Sequence, residues 1–228
     1  MKENAFIQLL EVNQPILFDG AMGTMLNQRG VDFEECFDEL NLTRPSLVTG
    51  IHRDYIEAGS QVIQTNTFGA NRYKLARHGL EDKVVEINAA GVQVARQAIR
   101  DSHKDVLVAG DMGPLGVRLA PFGRVQPEQA REAFQEQAAA LAGAGVDLMI
   151  VETVTDLVEV CEAIAAIRQV APGLPIIASM TFTRDDRTLL GDDPGKVARD
   201  ARKAGADVVG VNCSGGPNQI LRILKRMR

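Results

Sequence analysis

Five of six short apolar runs in this chain end in a residue that can do chemistry. Asp19 and Gly20 follow the first run, with Gly23 and Thr24 just beyond. Asn66 follows the second, Asp111 the third and Glu152 the fourth. The fifth leads only to Thr181, and the sixth to Asn212 and Cys213. Carboxylates can receive an ammonium group, amides and backbone N–H groups can receive a carboxylate, and a thiolate can bind a soft metal ion. Small residues beside them would let a ligand approach the backbone closely.

Each position also has a plainer reading. Asp19 before a glycine suits a turn or a helix cap. Asn66 could bond neighbouring backbone, and Asp111 could hold a loop. Glu152 closes a buried run and could be held in a structural salt bridge. A lone cysteine at a strand end, such as Cys213, is by default a small core residue. Cys36 in a loop and Cys161 on a helix take no assigned role. His52, His78 and His103 lie away from the strand ends, where solvated or structural roles fit.

The elements that must position these residues alternate in kind. The apolar runs fall at 15–18, 61–65, 105–109, 147–151, 174–180 and 207–212. They are continuous rather than alternating, as in strands buried on both faces of a parallel sheet. Amphipathic helical patterns cover 45–58, 81–100, 127–144, 156–170 and 194–204, and another follows Pro217. Ala58-Gly59-Ser60, Ala144-Gly145-Val146-Asp147 and Ala204-Gly205-Ala206-Asp207 recur just before strands. The glycine predicts a left-handed helix terminus, and the whole phrase reads as a βα repeat. Six units suit either a doubly wound sheet or part of an eightfold barrel, and the count does not choose between them. The glycines of Asp19-Gly20-Ala21-Met22-Gly23-Thr24 have the wrong spacing for a dinucleotide turn.

Composition narrows the partners. The chain has 228 residues, 45% hydrophobic and 24% charged, with a net charge of -5. No basic block or aromatic platform is present, which argues against nucleic acid. No run approaches the roughly 20 apolar residues of a membrane helix. Three widely spaced cysteines and the lack of a signal-like start fit a cytosolic protein rather than a disulfide scaffold.

Several segments resemble the homocysteine S-methyltransferase family. They are Ile16-Leu17-Phe18-Asp19-Gly20-Ala21-Met22-Gly23-Thr24, the stretch from Tyr55 to Phe68, Gly110-Asp111-Met112-Gly113-Pro114, Val151-Glu152-Thr153 and Gly210-Val211-Asn212-Cys213. They occur in the family's order. Cys36 to Leu42 and Gly69-Ala70-Asn71 resemble two branches: the homocysteine-binding module of cobalamin-dependent methionine synthase, and a methyltransferase fused to methylenetetrahydrofolate reductase. The resemblance implies a (β/α)8 TIM-type barrel, about six units of it present here in one domain spanning 1–228. It implies zinc-dependent methyl transfer to homocysteine, giving methionine. Cys213 would be one zinc ligand. The family's other two lie in a Gly-Gly-Cys-Cys-Gly-Thr motif that this sequence lacks, so the chain is expected to stop before strands seven and eight.

By the same resemblance, Glu152 would receive the homocysteine ammonium and Asp19 would lie beside it. Gly20, Gly23 and Thr24 belong to a loop offering backbone N–H groups. Asn66, Asp111 and Asn212 would line or brace the pocket. The methyl donor could be methylcobalamin on another module, or a sulfonium. An open barrel edge would favour association with a partner, a second copy included, and such a chain could instead serve as an incomplete binding or assembly module.

Overall fold

The computed structural model describes residues 4–228. In chain order the helices are α1 (Ala5–Glu11), α2 (Met22–Gln28), α3 (Leu40–Thr43), α4 (Pro45–Glu57), α5 (Arg72–Leu75), α6 (Val84–Ser102), α7 (Pro127–Ala144), α8 (Leu157–Val170), α9 (Pro194–Ala204) and α10 (Pro217–Met227). The strands are β1 (Val62–Gln64), β2 (Leu107–Met112), β3 (Leu148–Val154), β4 (Ile176–Met180) and β5 (Val208–Val211). All neighbouring pairs are parallel, in the order β1-β2-β3-β4-β5. The predicted first strand at 15–18 is reduced to a parallel bridge between Phe18 and Val62.

This order decides what counting units could not. A doubly wound sheet reverses its strand order and carries helices on both faces. Here each strand pairs with the next, and the helices pack in succession: α4 on α6, α6 on α7, α7 on α8, α8 on α9 and α9 on α10. Right-handed crossovers without reversal put every helix on one face. The result is an α/β fold of the barrel type, a curved parallel wall with its helices outside.

Side-chain alternation along the strands separates two layers. Val108, Met149, Val151, Ile176 and Ala178 point outward into the layer shared with the helices. Val62, Ala109, Leu148, Ile150 and Ile177 point inward and form an inner core with Phe6. Phe6 belongs to α1, which sits at the amino ends of the strands, where Asn4 Nδ2 donates to the Asp147 carbonyl at 3.1 Å. Its ring meets Phe18 edge-on, 6.4 Å between centroids. Neither α1 nor α2 is signalled by the apolar periodicity, because each is only two turns long.

The recurring Ala-Gly phrase does what its composition predicts. Gly59, Gly145 and Gly205 end their helices at positive φ, 109°, 92° and 118°. After Gly145 and Gly205 an aspartate follows and turns back to the preceding strand. Asp147 accepts from Val108 N at 2.7 Å, and Asp207 from Ile176 N at 2.8 Å. Arg96 bonds the Gly145 carbonyl at 2.7 Å and pairs with Asp147 at 2.9 Å. Arg168 does the same with Gly205 and Asp207, each at 2.6 Å from Nη2. No helix among the described residues is long and apolar enough to cross a membrane.

Candidate functional site

The inward parity of the strands continues to their carboxyl ends, where the inner residues become polar. Residues 107 and 109 face inward, and so does Asp111; 148 and 150 face inward, and so does Glu152. Gln64, Ser179 and Asn212 share that parity with Val62, Ile177 and Val208. Gln64, Asp111, Glu152 and Asn212, together with the segment after Phe18, enclose a cavity of about 840 Å³. Asp19, Gly20, Gly23, Thr24, Asn66, Asp111, Glu152, Asn212 and Cys213 all line it. The nine positions singled out in the sequence are therefore brought to one place.

Asp19, Gly20, Asn66, Asn212 and Cys213 lie in the loops expected for them, and the other four do not. Asp111 lies within β2 and Glu152 within β3, because both strands run further than their apolar runs. Gly23 and Thr24 lie in α2, not in a loop. Asn66 is buried, and its Nδ2 donates to the Phe37 carbonyl at 2.7 Å, a bracing contact within the wall. Asn212 ties three strands together. Its Oδ1 accepts from Thr153 N at 3.0 Å and Ser179 Oγ at 2.9 Å, and its Nδ2 donates to Thr153 Oγ1 at 2.8 Å. Thr153 is held at φ 60°, next to a register shift between Val151 and Val154. A β-branched residue there is strained and persists because its surroundings hold it.

The cavity is acidic on its inner side. Asp19 Oδ2 accepts from Gln64 N at 2.9 Å, but its buried Oδ1 has no partner, nor has Oδ1 of Asp111. Burial pushes the Asp19 carboxyl up to about 7, partly countered by the Gln64 bond. Burial, with Glu152, Asp19 and Asp38 nearby, raises Asp111 well above the usual carboxylate range. Burial also raises Glu152. Expelling water disfavours the ionised form, and like charges around one space disfavour it further.

The outer side holds residues that the sequence reading left without a role. Phe37, Phe68, Asp38 and Lys74 line the cavity, as do Cys36 and His78. Lys74 Nζ lies 4.1 Å from the centre of the Phe68 ring, a cation–π contact. Phe68 fits because Gly113 has no side chain; a Cβ there would come within 2.5 Å of the ring. Asp38 accepts from Gly69 N at 2.9 Å, and burial lifts its carboxyl to about 6. Asp38 and Lys74 belong to turns and short helices, which no periodic pattern marks. Gln64 was legible in principle, two residues after the inward Val62. His52, assigned a solvated or structural role, is buried on α4 and neither ring nitrogen is bonded.

Cys213 sits on the cavity wall with φ 47° and an exposed thiol 3.5 Å from Asn212 Nδ2. It is not a core residue. A zinc ion held by protein needs three or four ligands. Cys161 lies on α8 and does not line the cavity. Among the described residues no group of three or more His, Cys, Asp or Glu side chains could hold a metal ion. Cys36 also lines the cavity but is buried, so the described residues offer zinc one exposed thiol and do not by themselves make its site.

A polar cavity at the carboxyl ends of parallel strands is where barrel enzymes carry out their reactions. Within that class, the chain belongs to the homocysteine S-methyltransferase family, whose model matches residues 16–228. It is 33% identical to a methionine synthase of Mycobacterium leprae and 32% identical to one of Mycobacterium tuberculosis. Each match covers 92% of this chain but 18% of the relative, so the chain spans less than a fifth of their length. The metallated form of the homocysteine methyltransferase MmuM from Escherichia coli superposes with a TM-score of 0.83 at 26% identity. That match covers 97% of this chain and 82% of the other.

Proposed function

We propose that this chain is the homocysteine-binding part of an enzyme that transfers a methyl group to the homocysteine thiol, giving methionine. The observation that carries this is the meeting of three carboxylates, Asp111 buried and Asp19 and Glu152 partly so, with a run of backbone N–H groups and one exposed thiol around a single cavity. An amino acid brings an ammonium group, a carboxylate and a side chain. Glu152 and Asp19 would hold the ammonium, with Asp111 behind them. The backbone from Gly20 to Thr24 would hold the carboxylate. The homocysteine sulfur would then point towards Cys213.

In the reaction the sulfur forms a bond to the methyl carbon as the donor's bond to that carbon breaks. The thiol proton leaves to solvent. Asn66 and Asn212 would keep the wall in register, and the inner carboxylates would fix the amino-acid end so that only the sulfur is free to approach the donor. Cys213 would be the zinc-ligand position of this chain. The remaining ligands and the methyl donor, methylcobalamin on another module or a small sulfonium, would come from outside the described residues. A fusion with a methylenetetrahydrofolate reductase fits the same pocket.

The incomplete ligand set among the described residues favours a second reading, in which the chain binds homocysteine but becomes catalytic only with further polypeptide around it. β5 at the sheet edge is half-buried, and α10 exposes Leu221 and Leu224, surfaces that association would cover. Calorimetry with homocysteine, methionine, cysteine and serine tests both readings together. Homocysteine and methionine are expected to bind and serine to fail. Absence of binding by homocysteine and methionine alike would overturn the assignment. Methionine formation by the chain with zinc and a donor would separate the first reading from the second.

A further inference from the structure

Asp19, Asp111 and Glu152 reach the cavity from three different parts of the wall. Between them their carboxylates accept one hydrogen bond from the described residues, that of Gln64 N to Asp19. The buried Oδ1 atoms of Asp19 and Asp111 are unpartnered, and none of the three carboxylates is in an ion pair among the described residues. By contrast, Asp147 and Asp207 each accept a backbone N–H and pair with an arginine, and the buried Glu159 accepts from Leu115 N. Buried acceptors without donors are costly, so such a group in a cavity wall points to a ligand that brings the donors. An ammonium group has three N–H donors, one for each carboxylate.

The charges matter as well. Without the ligand, three ionised carboxylates would crowd like charge around one space, so a shared proton takes the place of the ammonium. Asp111 faces Glu152, Asp19, Asp38 and Lys74, and Asp19 faces Glu152 and, from α4, Tyr55. Cys213 lines the same cavity. Lys74 is the one cation among these groups, and burial pushes its own ammonium towards the neutral form.

We propose that Asp19, Asp111 and Glu152 form one ammonium receptor that shares a proton in the absence of ligand and releases it to solvent when an α-ammonium group docks. The proposal rests on the amino-acid reading of the site and adds Asp111 as a binding residue in its own right. In the step, a carboxyl O–H bond breaks and its proton passes to water. The ligand's ammonium keeps its three hydrogens and donates them to the carboxylates. The raised proton affinities of Asp19 and Asp111 support this, because they keep a proton in the site near neutrality. Amino-acid affinity should then rise with pH up to the point where the receptor is already ionised.

Calorimetry with L-methionine in buffers of different ionisation enthalpy counts the released proton directly. Methionine has no thiol, so its side chain adds no proton of its own. Near pH 6.5 roughly one proton should leave per methionine bound, falling towards none above about pH 8. Asp111→Asn and, independently, Glu152→Gln should cut the release by half or more. The 2-hydroxy analogue of methionine, lacking the ammonium, should bind at least about tenfold more weakly and release no proton. Methionine binding without proton release from about pH 5.5 to 8, or full release in both variants, would overturn the receptor while leaving the substrate reading intact. Absence of any methionine or homocysteine binding would overturn both.

Discussion

The two ends of the barrel wall treat their acids in opposite ways. At the amino ends of the strands, Asp147 and Asp207 each accept a strand N–H and pair with an arginine from the helix layer. At the carboxyl ends, Asp19, Asp111 and Glu152 are buried deeper and have almost no partners. The same residue types, at opposite ends of one parallel wall, serve to lock it at one end and stay available at the other. A protein that keeps unpaired buried acids gives up stability there, and the usual reason is a ligand.

Mutations should separate the ends. The largest effect is expected for Glu152→Gln, which removes a charge from the proposed receptor. Homocysteine affinity should fall about 10- to 100-fold with the melting temperature hardly changed. Calorimetry and thermal unfolding read the two quantities side by side, and a large loss of stability with unchanged affinity would reverse the comparison.

Arg168→Ala should show the opposite split. Its guanidinium bonds the carbonyls of Gly205, Leu174 and Pro172 as well as Asp207. Losing it should cost about 2 kcal/mol in denaturant unfolding, reduced from a fuller count because the side chain is partly exposed. Ligand affinity should stay within about twofold.

Asp19→Asn is expected to stabilise the unliganded protein. The Asp19 carboxyl moves from its ordinary 3.8 up to about 7 on folding. Between those values the folded chain holds a proton that the unfolded chain has lost, so stability falls as pH rises through this window. Asparagine mimics the protonated form at every pH. The variant should therefore exceed the wild type by about 1–2 kcal/mol near pH 8 and match it near pH 4. A gain that is the same at both values would remove the acid's titration from the explanation.

The smallest effect belongs to Gly145→Ala, at φ 92° with nothing near the new Cβ. Only the backbone penalty applies, about 1 kcal/mol of stability and no change in affinity.

Most of this contrast was legible in the chain. The Ala-Gly-x-Asp phrases marked the amino ends, and the polar residues closing the apolar runs marked the other. Helices at 127–144 and 194–204 fall where proline starts them and Ala-Gly stops them. What was not legible depends on the third dimension. The count of units could not tell barrel from open sheet; strand order and the shared side of the helices do. The first apolar run forms one bridge rather than a strand, because its backbone pairing is confined to Gln61 and Val62. Asp38 and Lys74 reach the cavity from irregular segments, where neither period predicts a direction. The left-handed backbone at Thr153 and Cys213 is imposed by neighbours such as Asn212, not by residue type.

The paired arginines have a kinetic meaning as well. Arg96 reaches Gly145 and Asp147, and Arg168 reaches Gly205 and Asp207, so each clamp closes a loop of only about one βα unit. Short loop closures carry little entropic cost and favour fast, local assembly. Each newly made unit can thus be fastened to the one before it as the chain leaves the ribosome. The wall can grow strand by strand, without waiting for distant segments to meet.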